Sequence, residues 1–122
     1  MRAYERFLRY AAVYTTSDPD SGLHPSPSRE LDLACILEVE MRQAGLQDVF
    51  RDSHGYVYGR LEASAGCEQL PALGFIAHMD TSPDMTGKHV KPQIIENYKG
   101  NDVLLNKEKG FTLSPDDFPE LM

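Results

Sequence analysis

His78 and Asp80 stand two places apart at the end of an uncharged apolar run, residues 73–77. In extended backbone, side chains two apart share a face, so an imidazole and a carboxylate meet there. A carboxylate beside an imidazole fixes its tautomer and strengthens it as a metal ligand. The pattern alone is weak, because a chain with four His and 19 acidic residues produces a His-x-Asp by chance without difficulty. Its position is what singles it out, since open α/β sheets carry their chemistry at the carboxyl ends of buried strands. The abrupt change from the apolar run to His78-Met79-Asp80 and then Thr81-Ser82-Pro83-Asp84 reads as a strand end followed by a loop.

The other candidate groups have plainer explanations. His24 lies in a polar loop, His54 precedes the turn glycine Gly55, and His89 lacks a strand-end position. Glu30, Asp32, Glu38 and Glu40 are expected on a solvated helix face rather than as a carboxylate dyad. Cys35 is expected to be a small buried apolar group and Cys67 an exposed loop residue. The two do not form a Cys-x-x-Cys pair and read as reduced thiols.

The elements that must position His78 and Asp80 follow from periodicity. Tyr4, Phe7, Leu8 and Ala11 recur at helical spacing and predict an amphipathic helix over residues 3–14, its aromatic stripe against the sheet. Residues 15–28, rich in Ser, Asp, Gly and Pro, predict a flexible loop. Ser26 is expected to cap a second helix with Pro27 as its first residue. Leu33, Ile36, Leu37, Met41 and Ala44 trace that helix's apolar face, and Gly45 stops it. Residues 48–52 and 56–61 predict a hairpin around Ser53-His54-Gly55. Residues 70–78 predict the buried central strand. Residues 93–96 and 102–105 predict two short strands, with residues 98–101 as their turn. Ser114-Pro115-Asp116-Asp117 predicts a short helical turn. The fold class is α/β: two helices packed on a mixed sheet with a buried central strand.

Composition bounds the function classes. A chain of 122 residues makes one modest domain rather than two. A net charge of −7 with no basic run repels nucleic acid and anionic membrane surfaces alike. No apolar stretch approaches the length needed to span a bilayer. The first residues, Met1-Arg2-Ala3-Tyr4-Glu5-Arg6, lead into no apolar segment of the secretory kind. The expected location is cytoplasmic.

Gly74-Phe75-Ile76-Ala77-His78-Met79-Asp80-Thr81-Ser82-Pro83-Asp84 resembles the first metal-binding motif of the tripeptide aminopeptidases within the dizinc M20 metallopeptidase family. Lys91-Pro92-Gln93-Ile94-Ile95-Glu96-Asn97-Tyr98 resembles the segment that follows there. Glu5-Arg6-Phe7-Leu8-Arg9-Tyr10, Gly55-Tyr56-Val57-Tyr58, Leu113-Ser114-Pro115 and Phe118-Pro119-Glu120-Leu121 fit in the same order. The resemblance covers nearly the whole chain, in register.

What the resemblance implies is an incomplete N-terminal portion of a zinc-peptidase catalytic domain over residues 1–122. His78 would be a zinc ligand and Asp80 the catalytic carboxylate that orients it. The family holds two zinc ions per complete site; this chain matches at most one ligand, His78. The bridging Asp, the Glu general base with its metal-binding neighbour, a further Asp and a final His have no counterpart here. A catalytic zinc needs about three protein ligands plus water, so the chain is expected to be inactive alone. Substrate-binding residues are not identifiable, although the complete enzymes take small peptides. His and Asp alone would also accept manganese or cobalt.

Three readings stand open at this point. The first is part of a zinc-dependent aminotripeptidase that releases the N-terminal residue of tripeptides. The second is a non-catalytic binding or dimerising module retaining the peptidase fold, self-associating through exposed sheet edges. The third is a small non-enzymatic zinc site built from His78, His89 and carboxylates.

Overall fold

The computed structural model of the chain describes residues 1–26 and 28–122. They fall into two units, Met1–Pro92 and Gln93–Met122. Among the described residues no helix is long and apolar enough to cross a membrane.

In the first unit, α1 spans Ala3–Ala11. Its first turn is closed by Glu5, whose Oε2 accepts from the Arg2 N–H at 2.7 Å. It ends three residues short of expectation, ahead of the β-branched Thr15 and Thr16, which are drawn into extended pairing. The expected burial of its aromatic stripe does not occur: Tyr4 and Phe7 are exposed and no α1 residue is buried. What holds α1 is polar. Arg9 Nη1 donates to Glu40 Oε1 at 2.7 Å, and the Tyr10 hydroxyl donates to Glu40 Oε2.

Helix α2 spans Glu30–Gln43, with Arg29 at its N-cap. Ser26 does not cap it. The Ser26 hydroxyl donates to the Asp18 carbonyl and accepts from the Asp18 N–H, closing the loop on itself. Pro27, expected as the first helical residue, lies outside the described residues. The helix ends as predicted, with Gly45 at φ 85°. Gly45 N–H donates to Arg42 O at 3.0 Å and Leu46 N–H to Met41 O at 3.1 Å, the paired bonds of a Schellman stop. Leu33 and Ala34 are buried, while Ile36, Leu37 and Met41 are half-buried and Ala44 is exposed. Cys35 is exposed, contrary to expectation, and Cys67 is half-buried rather than open. Glu40 also departs from the solvated-face reading: it is buried, because both its oxygens are taken by α1.

Strands β1 (Gln47–Arg51) and β2 (Val57–Arg60) form the expected antiparallel hairpin. Asp52 Oδ1 accepts from the N–H groups of His54 at 2.9 Å and Tyr56 at 3.0 Å, which builds the turn. Phe50 and Tyr58 sit opposite each other with rings stacked at 4.7 Å. Helix α2 packs on this hairpin. Glu38 stitches the two together, accepting from Arg42 at 2.6 Å on its own helix and from Arg51 at 3.4 Å on β1.

The second unit contains β3 (Val103–Asn106) and β4 (Phe111–Leu113), also antiparallel. Residues 93–96 form no strand, so the partner of β3 is β4, on its other side in sequence. The turn that decides this is Lys107-Glu108-Lys109-Gly110. Asn106 Oδ1 accepts from Lys109 N–H at 2.9 Å and Gly110 supplies φ 68°. The turn at Ser114 forms as read, its carbonyl accepting from Asp117 and Phe118 N–H, and a 3-10 turn follows over Pro119–Leu121.

The α/β class stands: the described residues form two α-helices and two small antiparallel sheets in place of one mixed sheet. The buried central strand is not borne out. Residues 71–80 have no regular secondary structure, and Leu73, Phe75 and Ile76 are 80%, 90% and 102% exposed. A central strand needs a neighbour on each edge and cover on each face. Among the described residues the chain finds one isolated parallel bridge here, just past this segment, between Thr16 and Thr81.

Candidate functional site

That bridge places the candidate site. Thr81 N–H donates to Thr15 O at 3.2 Å, and Ser17 N–H donates to Thr81 O at 3.0 Å. Paired residues of parallel strands project to the same face, so Thr16 and Thr81 bring their hydroxyls to 3.1 Å. Gly87 closes this side, its N–H donating to Thr16 Oγ1 at 2.9 Å. A Cβ at Gly87 would lie 2.6 Å from that oxygen, so the backbone approaches as only glycine allows. Thr15 and Thr16 are buried. Arg29, at the head of α2, forks onto Thr16 O with Nε at 3.1 Å and Nη2 at 2.5 Å, its guanidinium 4.3 Å over the Tyr14 ring.

The neighbours of the paired threonines, Ser17 and Asp80, project to the opposite face. There Ser17 Oγ donates to Asp80 Oδ2 at 2.5 Å. Two residues earlier on the same face, His78 Nδ1 meets Asp80 Oδ1 at 3.0 Å. The expected His78–Asp80 pair therefore forms, although the strand meant to present it does not. The His78 side chain is 84% exposed and that of Asp80 43%.

The Asp80 carboxyl is held below the usual carboxylate range, first by the Ser17 hydroxyl and further by His78, with partial burial opposing. Glu30, in the first turn of α2, is pushed up by burial and then by the charge of Asp80, with Arg29 opposing. At neutral pH Asp80 is thus an ionised acceptor facing His78 Nδ1, with Nε2 on the far side of the ring.

Zinc would find one imidazole with its orienting carboxylate here. That donor set fits a single ligand position and not a whole centre. Among the described residues no group of three or more His, Cys, Asp or Glu side chains is placed to hold a metal ion. His89, with φ 58°, is not gathered into such a group, and His24 lies against His54 at 5.1 Å between ring centroids. Sequence reasoning missed Ser17, Thr16 and Arg29. The β-branched pair Thr15-Thr16 inside a Ser/Asp/Gly/Pro stretch was the available signal, since such residues favour extended backbone. Its partner lies 65 residues away, beyond the reach of local pattern.

No protein-family model matches the chain. Curated relatives do, over almost all of its length. The chain is 55% identical over 118 residues to peptidase T of Desulfitobacterium hafniense, covering 97% of this chain and 28% of that protein. It is 53% identical over 120 residues to peptidase T of Caldanaerobacter subterraneus subsp. tengcongensis, covering 98% of this chain and 29% of that protein. Peptidase T of Geobacillus kaustophilus is 50% identical over 117 residues, covering 96% and 28% respectively. The chain thus resembles peptidase T along almost all of its length, and it spans little more than a quarter of the length of the curated relatives it matches.

Proposed function

We propose that this chain is part of a zinc-dependent aminotripeptidase of the M20 type, contributing one metal ligand, His78, and the carboxylate that orients it, Asp80. The observation that carries the proposal is the 3.0 Å contact between His78 Nδ1 and Asp80 Oδ1 in a chain matched by proteins named peptidase T. Bound zinc would polarise the peptide carbonyl and lower the pKa of its water. What the residues of this chain do is narrower. Asp80 accepts a hydrogen bond from Nδ1–H, holds the ring in one orientation and raises the basicity of Nε2. His78 offers Nε2 from an open surface, so nothing here excludes water. One imidazole falls short of the about three protein ligands a catalytic zinc requires, and on that inventory the chain is inactive alone. Two free cysteines, Cys35 and Cys67, suit a reducing, cytoplasmic setting.

The test is tripeptide hydrolysis by the purified chain with zinc supplied, beside His78→Ala. Both at background is the expected result. Hydrolysis that disappears with His78→Ala would overturn the inactivity and mean that further ligands are supplied between chains.

A second reading, a dimerising module, is favoured by one observation: Leu70, Leu73, Phe75 and Ile76 are exposed on a nearly unpaired segment. Extended apolar backbone of this kind is a template for pairing with a second copy. Sedimentation across a concentration series separates the readings, with concentration-dependent dimers abolished by Phe75→Lys supporting self-association.

A further inference from the structure

We infer that Ser17 is the positioning residue of the His78–Asp80 pair, locking the Asp80 carboxylate so that the His78 proton stays on Nδ1 and Nε2 faces outward as the ligand atom. The inference rests on the reading of His78 as a ligand and deepens it.

A carboxylate that is 43% exposed has freedom to rotate about Cβ–Cγ and to exchange its partner for water. Here both oxygens are engaged, Oδ1 by His78 at 3.0 Å and Oδ2 by Ser17 at 2.5 Å, so its plane is fixed. The Ser17 hydroxyl has a second acceptor within reach, the Thr81 carbonyl at 3.2 Å, but only one proton to give. The shorter bond to a charged acceptor prevails, because charge-assisted hydrogen bonds are roughly twice as strong as neutral ones.

Ser17 is itself anchored by backbone. Its N–H donates to Thr81 O at 3.0 Å, and on the other face Thr16 is held by Thr81, Gly87 and the Arg29 fork. Ser17 thus reaches Asp80 Oδ2 from backbone held by the bridge, so the geometry of the pair is set from the bridge and not by His78 or Asp80 alone. The arrangement places a hydroxyl, a carboxylate and an imidazole in series, the outermost member open to a metal.

The experiment is a long-range proton–nitrogen correlation spectrum of the metal-free 122-residue chain, labelled on histidine nitrogen, at slightly alkaline pH. Wild type should show His78 with a protonated Nδ1 and an unprotonated Nε2. Asp80→Asn should lose that signature, Ser17→Ala should shift it toward a mixture of tautomers, and Ser17→Thr, which keeps the hydroxyl, should restore it. A purely structural role for Ser17 would not leave the tautomer dependent on the hydroxyl. Should Ser17→Ala lose its amide dispersion, Ser17→Cys, similar in size and a weak donor, takes its place with the same expectation.

Wild-type shifts in Ser17→Ala, with Asp80→Asn altered, would overturn the inference. So would shifts unaltered in both. Zinc is then added to each sample. Perturbation of His78 Nε2 in wild type, weakened by about tenfold in Ser17→Ala, is expected from the usual cost of removing an outer partner of a metal ligand. If zinc leaves Nε2 untouched in wild type, this single imidazole does not hold the ion by itself, and the tautomer result alone decides the role of Ser17.

Discussion

The α2–hairpin region and the segment bearing His78 draw on similar residues and end in opposite states. Leu33 in α2 is 5% exposed, whereas Leu73, five residues before His78, is 80% exposed. The first region satisfies its own backbone. Helix α2 bonds within itself, its Schellman stop turns the chain, and the β1–β2 hairpin returns beneath it at once. The second region is an apolar strand sequence whose hydrogen bonds would all have to come from elsewhere, and one bridge to Thr16 is what it has. Local closure therefore separates the region that builds a core from the one that does not. Burying a Leu, Phe or Ile is worth roughly 1.5–3 kcal/mol each, a gain that residues 73–76 forgo in this structure.

The comparison can be tested hardest by truncating one leucine in each region. Leu33→Ala should cost roughly 2–5 kcal/mol by lost burial and cavity formation. Leu73→Ala should change stability by no more than about 0.5 kcal/mol, as exposed sites do. Paired urea titrations measure both. Equal losses would mean that residues 71–80 are buried in solution and that the contrast is false.

A somewhat smaller effect is expected at Glu40, where helix α1 is held by charge and not by its aromatic face. Glu40→Ala strands the Arg9 and Tyr10 donors, and hydrogen bonds to a charged group are worth about 1.5–3 kcal/mol each before solvent exposure of Arg9 is discounted. A loss of about 2 kcal/mol with early melting of α1 is expected, read by urea titration and by amide exchange at residues 3–11. Phe7→Ala, at an exposed position, should leave both nearly unchanged.

The smallest expected effect is alkaline. Burial, followed by the hydrogen bond and charge of Glu40, raises the Tyr10 phenol above its ordinary value near 10. A proton held more tightly when folded stabilises the fold below the unfolded pKa, and this stabilisation is lost as pH rises through the folded one. Tyr10 should ionise above the ordinary phenol value in an absorbance titration, with α1 loosening as it does so. Tyr10→Phe should remove the late step. An ordinary Tyr10 titration in the wild type would mean that the Glu40 contact is not maintained in solution.

Much of the first region was legible in the chain itself. Turn chemistry at Ser53-His54-Gly55 and the stop at Gly45 are local, each set by one residue's φ or one side-chain acceptor, and both formed where the residues put them. The His78–Asp80 pair was legible for the same reason, since alternation along extended backbone needs no partner strand. Local pattern did not reveal Glu40, which looks like any solvated glutamate until α1 folds back on it. Nor did it reveal Ser17, which is 63 residues from Asp80. Apolar composition likewise stated that residues 73–77 seek burial but not whether neighbours would be present to bury them. Sequence alone determined that two helices form, the stop at Gly45, the β1–β2 turn and the facing of an imidazole and a carboxylate, because those depend on a few adjacent dihedral angles. Tertiary structure alone decided which groups hold them, because a hydrogen bond between distant residues exists only once the chain has brought both ends together.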